Sequence, residues 1–182
     1  MKKTLILFFL ALSSLTYSQG VHFAFGTGTS LVRIEGGYSI SENLHVGGYF
    51  SPGFSFGNIP KSFGGYGRYS FEENDFGNGF FNASFRGYVG ADLGMMKLDE
   101  STSYDLYTGN IITNPAKTAL GFSGMAGAEF LYGRSGKFGS FIELHLGKVP
   151  NYFNSLSSLT GSTVKISSPW GLNAGLRVYF GN

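Results

Sequence analysis

The chain has 182 residues, with 29 glycines, 19 phenylalanines and 11 tyrosines, yet charged side chains make up only 13% of it, about half of ordinary usage. No cysteine occurs, which excludes disulfides and thiolate metal sites. The formal charge of +2 rests on Lys2 and Lys3; beyond them 11 basic side chains balance 11 acidic ones, so net charge offers no field for nucleic acid or an anionic surface.

Residues 1–18, MKKTLILFFLALSSLTYS, read as a secretory signal peptide. Two lysines precede an apolar run over 5–12, and small residues Thr16 and Ser18 stand before an expected cut ahead of Gln19. The run is shorter than the roughly 20 apolar residues of a spanning helix, and no cysteine follows it to carry a lipid. Residues 19–182 are expected to form one domain.

Beyond the leader, apolar residues recur at every second position, the mark of strands whose two faces meet different surroundings. This periodicity predicts strands over 21–27, 31–40, 44–56, 63–72, 80–96, 118–132, 138–152 and 170–180. Most reach the roughly 9–11 residues that a tilted strand needs to cross hydrocarbon. The first is short, and the fourth carries Gly64, Gly65 and Gly67. Connections alternate in length. SEN (41–43), the acidic EENDFGNG around Asp75 and RSGK (134–137) are tight or modest. The stretches 99–117 and 154–168 are long, NIPKS is intermediate, and GTS (28–30) is the short member of that second set. Short turns at one rim and longer loops at the other are the habit of outer-membrane barrels.

The charges keep to one parity. In the second segment Arg33 and Glu35 oppose Val32, Ile34, Tyr38 and Ile40; in the fifth, Asn82, Arg86 and Asp92 oppose Phe81, Phe85, Val89 and Leu93. Glu129 opposes Phe122 and Phe130, Glu143 and His145 oppose Ile142, Leu144 and Leu146, and Arg177 opposes Leu176 and Val178. A lysine or arginine facing lipid at mid-membrane costs about 2–4 kcal/mol, so exclusion of charge from one face is what a lipid-facing wall requires. Lys97 and Lys148 break the rule late in their strands, where a long side chain can snorkel to the interface. Aromatics collect near both ends of the apolar parity: Phe23, Tyr38, Phe71, Phe81, Tyr132, Phe138 and Phe180 at the short-turn end, Phe56, Phe63, Tyr152 and Trp170 at the other, as two interfacial girdles would. In a soluble barrel the polar face would instead be rich in charge. The expected fold is therefore an all-β, eight-stranded antiparallel up-and-down transmembrane barrel, closed because hydrocarbon tolerates no unpaired edge.

These segments resemble the small eight-stranded outer-membrane β-barrels of Gram-negative bacteria, the OmpA/OmpX-type family. The terminal NAGLRVYF is similar to that family's assembly signal, with Asn173, Gly175, Val178 and Phe180 in the signal positions, although Gly181 and Asn182 follow where the aromatic is commonly last. The resemblance implies a bacterial outer-membrane location, contact with outer-membrane lipid, recognition by the barrel-assembly machinery and a monomeric state.

Little in the chain points to catalysis, and no enzyme activity or cofactor is expected. His22, His45 and His145 all lie on the inward parity at no metal-binding spacing, and GTGTSL and GYGRYS lack the third glycine of a phosphate loop. The inward charges are the informative group: Arg33, Arg68, Arg86 and Arg177 against Glu35, Asp92, Glu129 and Glu143. An eight-stranded barrel is just wide enough to fill with side chains, so these are expected to plug the lumen in an ion-pair network joined by His45, His145, Tyr88 and Tyr179. Activity would then lie at the outer rim, with Tyr104 and Tyr107 of the 99–117 loop, and the 154–168 stretch, as surface contacts. A structural or surface-interaction role (adhesion, envelope) is the expectation. The alternatives are a small pore or transport component, and a secreted lipocalin-like binder, which would need an apolar cavity.

Overall fold

The computed structural model describes residues 20–29, 32–52, 61–76, 83–104, 109–132, 138–150 and 167–180. They form β1 (Val21–Gly28), β2 (Arg33–Ser39), β3 (Leu44–Ser51), β4 (Lys61–Ser70), β5 (Asn74–Phe76), β6 (Ala83–Leu98), β7 (Ser101–Tyr104), β8 (Ile111–Asn114), β9 (Lys117–Tyr132), β10 (Phe138–Pro150) and β11 (Ser167–Phe180), with no helix among the described residues. The leader, Phe56, Phe81, Asn82, Tyr107, Tyr152 and nearly all of the 154–168 stretch lie outside the described residues.

Eight strands, β1, β2, β3, β4, β6, β9, β10 and β11, pair antiparallel in chain order, and β11 returns to β1, so the sheet closes. Each overlaps one of the eight periodic segments, with β1, β4, β6, β9 and β11 beginning or ending one to three residues outside the expected bounds. The short β1 is secured on both sides: all eight of its residues pair with β11, from Val21↔Phe180 to Gly28↔Asn173, and six pair with β2. The glycines of β4 do not interrupt it, since Gly64, Gly65 and Gly67 all stay in register with β3 and β6. Two features depart from the periodicity. The expected loop over 99–117 contains a hairpin: past the Leu98↔Lys117 pair, β7 and β8 pair from Ser101↔Asn114 to Tyr104↔Ile111 and carry the β6–β9 ladder beyond the barrel. At the other end β5 extends β4's side of the wall, pairing with the start of β6.

The wall alternates as the sequence does. In β1, Val21, Phe23 and Phe25 are exposed outside while His22 and Ala24 are buried inside. Many large apolar side chains of the wall are exposed, Leu93, Leu120, Phe122 and Leu146 among them, whereas the largest fully enclosed side chains include Arg68, Arg177, Tyr88, His145 and three glutamates. Inward glycines make room for them. A Cβ on Gly127 would lie 2.5 Å from the Tyr88 ring, and one on Gly94 would lie 2.2 Å from the Tyr49 hydroxyl. The register of β10 with β11 slips by one residue between Leu146 and Val149, at Gly147, whose φ of 141° suits glycine.

Candidate functional site

The registers of six strands bring their charged residues to the middle of the lumen. Arg33 and Glu35 are two apart on β2, hence on one face, and the Arg33 Nε donates to Glu35 Oε1 at 2.8 Å. Arg33 also reaches Asp92 Oδ2 on β6 at 3.1 Å. From β4, Arg68 donates to Glu35 at 3.2 Å and to Glu143 of β10 at 2.8 Å. Arg177 of β11 stands at the centre and contacts Glu129 of β9, Glu35 and Glu143 at 3.2–3.3 Å. Arg86 of β6 donates twice to Glu129 Oε2, at 3.0 and 2.9 Å. Every one of these carboxylates therefore meets at least one guanidinium. The four arginines and four acids form one connected set, with Arg177, Glu129 and Glu143 almost wholly enclosed.

Tyrosines complete it. Tyr88 donates to Glu143 at 2.7 Å, and Tyr179 donates to Glu129 at 2.8 Å and accepts from Arg86. Guanidinium planes that lack further acceptors lie on rings: Arg33 is 4.0 Å from the centre of Tyr49, Arg68 4.6 Å from Tyr88, and Arg177 4.5 Å from Phe141. Such stacking satisfies the cation where hydrogen bonds run out. The stacking role of Tyr49, of Phe141 and of Tyr66, whose ring centre is 4.9 Å from Arg68, was not read from the sequence. Their inward parity among glycines is the signal that could have found it.

The histidines part company. His145 joins the charges, with Nε2 3.1 Å from Glu143 and Nδ1 3.2 Å from Asp92; only a ring carrying both protons can donate at both ends. His45, expected among the ions, instead pairs with Ser39 Oγ at 2.8 Å. The β2–β3 register sets Ser39 directly opposite it near the short turn, and the His45 ring lies 6.4 Å from that of Tyr179. His22 bonds to the Tyr66 hydroxyl at 2.7 Å. Ser123, His145 and Glu143 lie in a row that superficially matches a nucleophile, base and orienting acid. The Ser123 hydroxyl donates to Asp92 at 2.7 Å and lies 3.1 Å from His145 Nδ1, and Ser123 and His145 are both buried. No group of three or more possible metal ligands exists among the described residues.

The residues matched to an assembly signal all lie on β11. Asn173 is buried opposite Gly28 and Glu143, and Gly175 is opposite Gly26 and Phe141. Val178 pairs with Phe23, and Phe180 is exposed on the outside with its ring 5.9 Å from that of Phe23. Tyr104 ends β7, opposite Ile111 on the projecting hairpin.

Solved structures similar to this chain are small eight-stranded outer-membrane barrels. The N-terminal β-barrel domain of Pseudomonas aeruginosa OprF is 14% identical over 88% of this chain and 96% of that one, at a TM-score of 0.46. Neisserial surface protein A, NspA, is 16% identical over 88% and 94%, at 0.44. Ail, the attachment invasion locus protein of Yersinia pestis, is 14% identical over 88% and 94%, at 0.31. At these identities the likeness is one of fold. No protein-family model matches the chain, and no curated protein sequence does.

Proposed function

We propose that this chain is an integral, non-enzymatic outer-membrane barrel, exported by its N-terminal leader, whose lumen is plugged and whose role is structural or one of surface contact. The observation that carries the reading is the inversion of the wall: Leu176 is 50% exposed while its neighbour Arg177 is 0% exposed. A water-soluble barrel would suffer twice from that arrangement, by wetting a continuous apolar belt and by enclosing charge at its centre. In hydrocarbon the belt is the favourable surface, and closure leaves the sheet no open edge.

The connected ion pairs support the plug. Arg68 and Arg177 span the lumen between β2, β4, β9, β10 and β11, and an ion in transit would have to break several charge-assisted bonds at once. The projecting β7–β8 hairpin, with Ile111 exposed, is the part of the described fold that extends furthest beyond the belt on the long-loop side, and it supports the surface-contact reading.

Spin labels at Leu144 and Glu143 in phosphatidylcholine vesicles test the orientation. The label at 144 should relax with dissolved oxygen and ignore a water-soluble nickel complex, and a water-accessible 144 would sink the reading. Planar bilayers test the plug separately, with negligible steady conductance at neutral pH expected. Large open channels would leave the barrel standing and refute the plug.

A further inference from the structure

Net charge alone gave no reason to expect an anionic partner, but the lysines are not scattered. On the outer surface, Lys61 begins β4, Lys97 stands near the end of β6 and Lys148 near the end of β10, all at the long-loop end of their strands. Lys61 and Lys97 are exposed and lie directly opposite each other, an arrangement of like charges that is unfavourable unless an anion lies between them. In a barrel whose strands tilt about 40° and lie about 4.8 Å apart, each step from β4 through β6 and β9 to β10 climbs about 3 Å, and each residue along a strand about 2.5 Å. With the Lys61↔Lys97, Lys97↔Thr118 and Phe122↔Lys148 registers, the three lysines fall within about 4 Å of one level by those same increments. Trp170, the chain's one tryptophan, pairs with Leu146 and falls on the same level around the wall.

Immediately below that level the surface is apolar, with Phe63, Leu93 and Phe122 exposed. The opposite rim differs: its described surface residues include Glu42, Glu72, Glu73 and Asp75, all exposed, and no lysine or arginine. Arg134 and Lys137 belong to a turn outside the described residues. A cationic band joined to an apolar belt, found among the described residues at the long-loop end, is complementary to amphiphiles that carry negative charge at the head and acyl chains below it. In the closed protein Asp99 bridges Lys61 and Lys97, so one carboxylate serves two ammonium groups and Lys148 is outside that pair.

We propose that Lys61, Lys97 and Lys148 bind the phosphate groups of phosphorylated lipid headgroups in the leaflet on the long-loop side, with Asp99 as the internal competitor for two of them. This rests on the membrane-barrel reading above. Trp170 supplies the probe: the protein is reconstituted in phosphatidylcholine vesicles containing trace dansyl-labelled lipid A, with and without its phosphates, and energy transfer from Trp170 is recorded. Enrichment around the protein is expected for the phosphorylated lipid only. Neutralising lysines (Lys61→Gln, Lys97→Gln, Lys148→Gln) should weaken the enrichment by about fivefold each, and Asp99→Asn should strengthen it. A heat-modifiable gel shift and protection from protease in every sample show that the barrel has inserted. If insertion fails, the membrane reading itself is lost. If the barrel inserts and the two lipids are enriched alike, or the triple variant retains the preference, the lysine band is not a headgroup site.

Discussion

Leu176 and Arg177 are neighbours on β11 and look out of opposite sides of one sheet. Leu176 has half its surface free on the outside, and truncating it would remove little packing. Arg177 has none free, and its guanidinium is shared among Glu35, Glu129 and Glu143 with Phe141 beneath it. The two faces are therefore held by different physics. The outside depends on its surroundings being apolar and is tolerant of shape. The inside depends on each charge meeting its opposite and is far less tolerant of change.

Arg177→Met breaks the comparison at its strongest point. It leaves three buried carboxylates short of a cation, and removal of one partner from such a cluster costs about 3–5 kcal/mol. Leu176→Arg is the mirror experiment, with about 2–4 kcal/mol expected for a cation moved to the lipid face near mid-membrane. Urea unfolding in phosphatidylcholine vesicles, followed by Trp170 fluorescence, reads both. If Arg177→Met proved harmless while Leu176→Arg did not, the lumen charges would be solvated and the plug would be wrong.

Glycine sharpens the same contrast. Gly127 and Gly124 are three residues apart on β9 and face opposite ways. A Cβ on Gly127 would meet the Tyr88 ring at 2.5 Å and the Ile142 carbonyl at 2.7 Å, whereas on Gly124 its nearest neighbour would be 4.0 Å away. Gly127→Val should cost about 1–3 kcal/mol by overpacking and push Tyr88 off Glu143. Gly124→Val should change stability by no more than about 0.5 kcal/mol. Equal effects from the two would mean that Tyr88 has another place to go. Below them comes Ser39→Ala, which removes one neutral hydrogen bond from His45 and should cost about 1 kcal/mol. Since the hydrogen bond lost is to Ser39 and His45 reaches the ion pairs only through its ring contact with Tyr179, that variant should combine nearly additively with Arg177→Met. A coupling much above 0.5 kcal/mol would draw His45 back into the network.

What could be read from the sequence divides along the same line. The strands and their faces were legible because hydrocarbon enforces strict alternation: even the short β1 and the glycine-rich β4 follow it. Arg33 and Glu35 could be paired by eye, being two apart on one strand. Which guanidinium meets which carboxylate across the barrel could not, because it depends on registers set by all eight strands together. The Arg68 contacts to Glu35 and Glu143 join residues 33 and 75 positions away. His45 illustrates the limit: parity turns it inward, but its hydrogen bond to Ser39 could not be read, because height within the lumen is invisible to a period-two pattern. The β7–β8 hairpin was hidden for a different reason. Its segments STSY and IITN are only four residues each and, being beyond the apolar belt, have no enforced alternation to announce them.

The smallest effect belongs to the ion pairs that lie outside the wall altogether. Asp99 hydrogen-bonds Lys61 and faces Lys97, and the two ammonium groups hold its carboxyl below its ordinary value, the bond to Lys61 contributing most. A depressed carboxyl lends stability above its unfolded pKa and loses it as the pH falls through the folded one, so any contribution from Asp99 should fade only on acidification below the ordinary carboxylate range. Exposed pairs of this kind are screened and entropically costly, and many contribute nothing measurable. Lys61→Gln should therefore raise the titration midpoint of the Asp99 carboxyl, seen by carbon-13 NMR, while leaving the urea midpoint of the barrel where it was. If the urea midpoint fell as far as in Arg177→Met, the rim would be as shielded from water as the lumen, and the division between the two environments would fail.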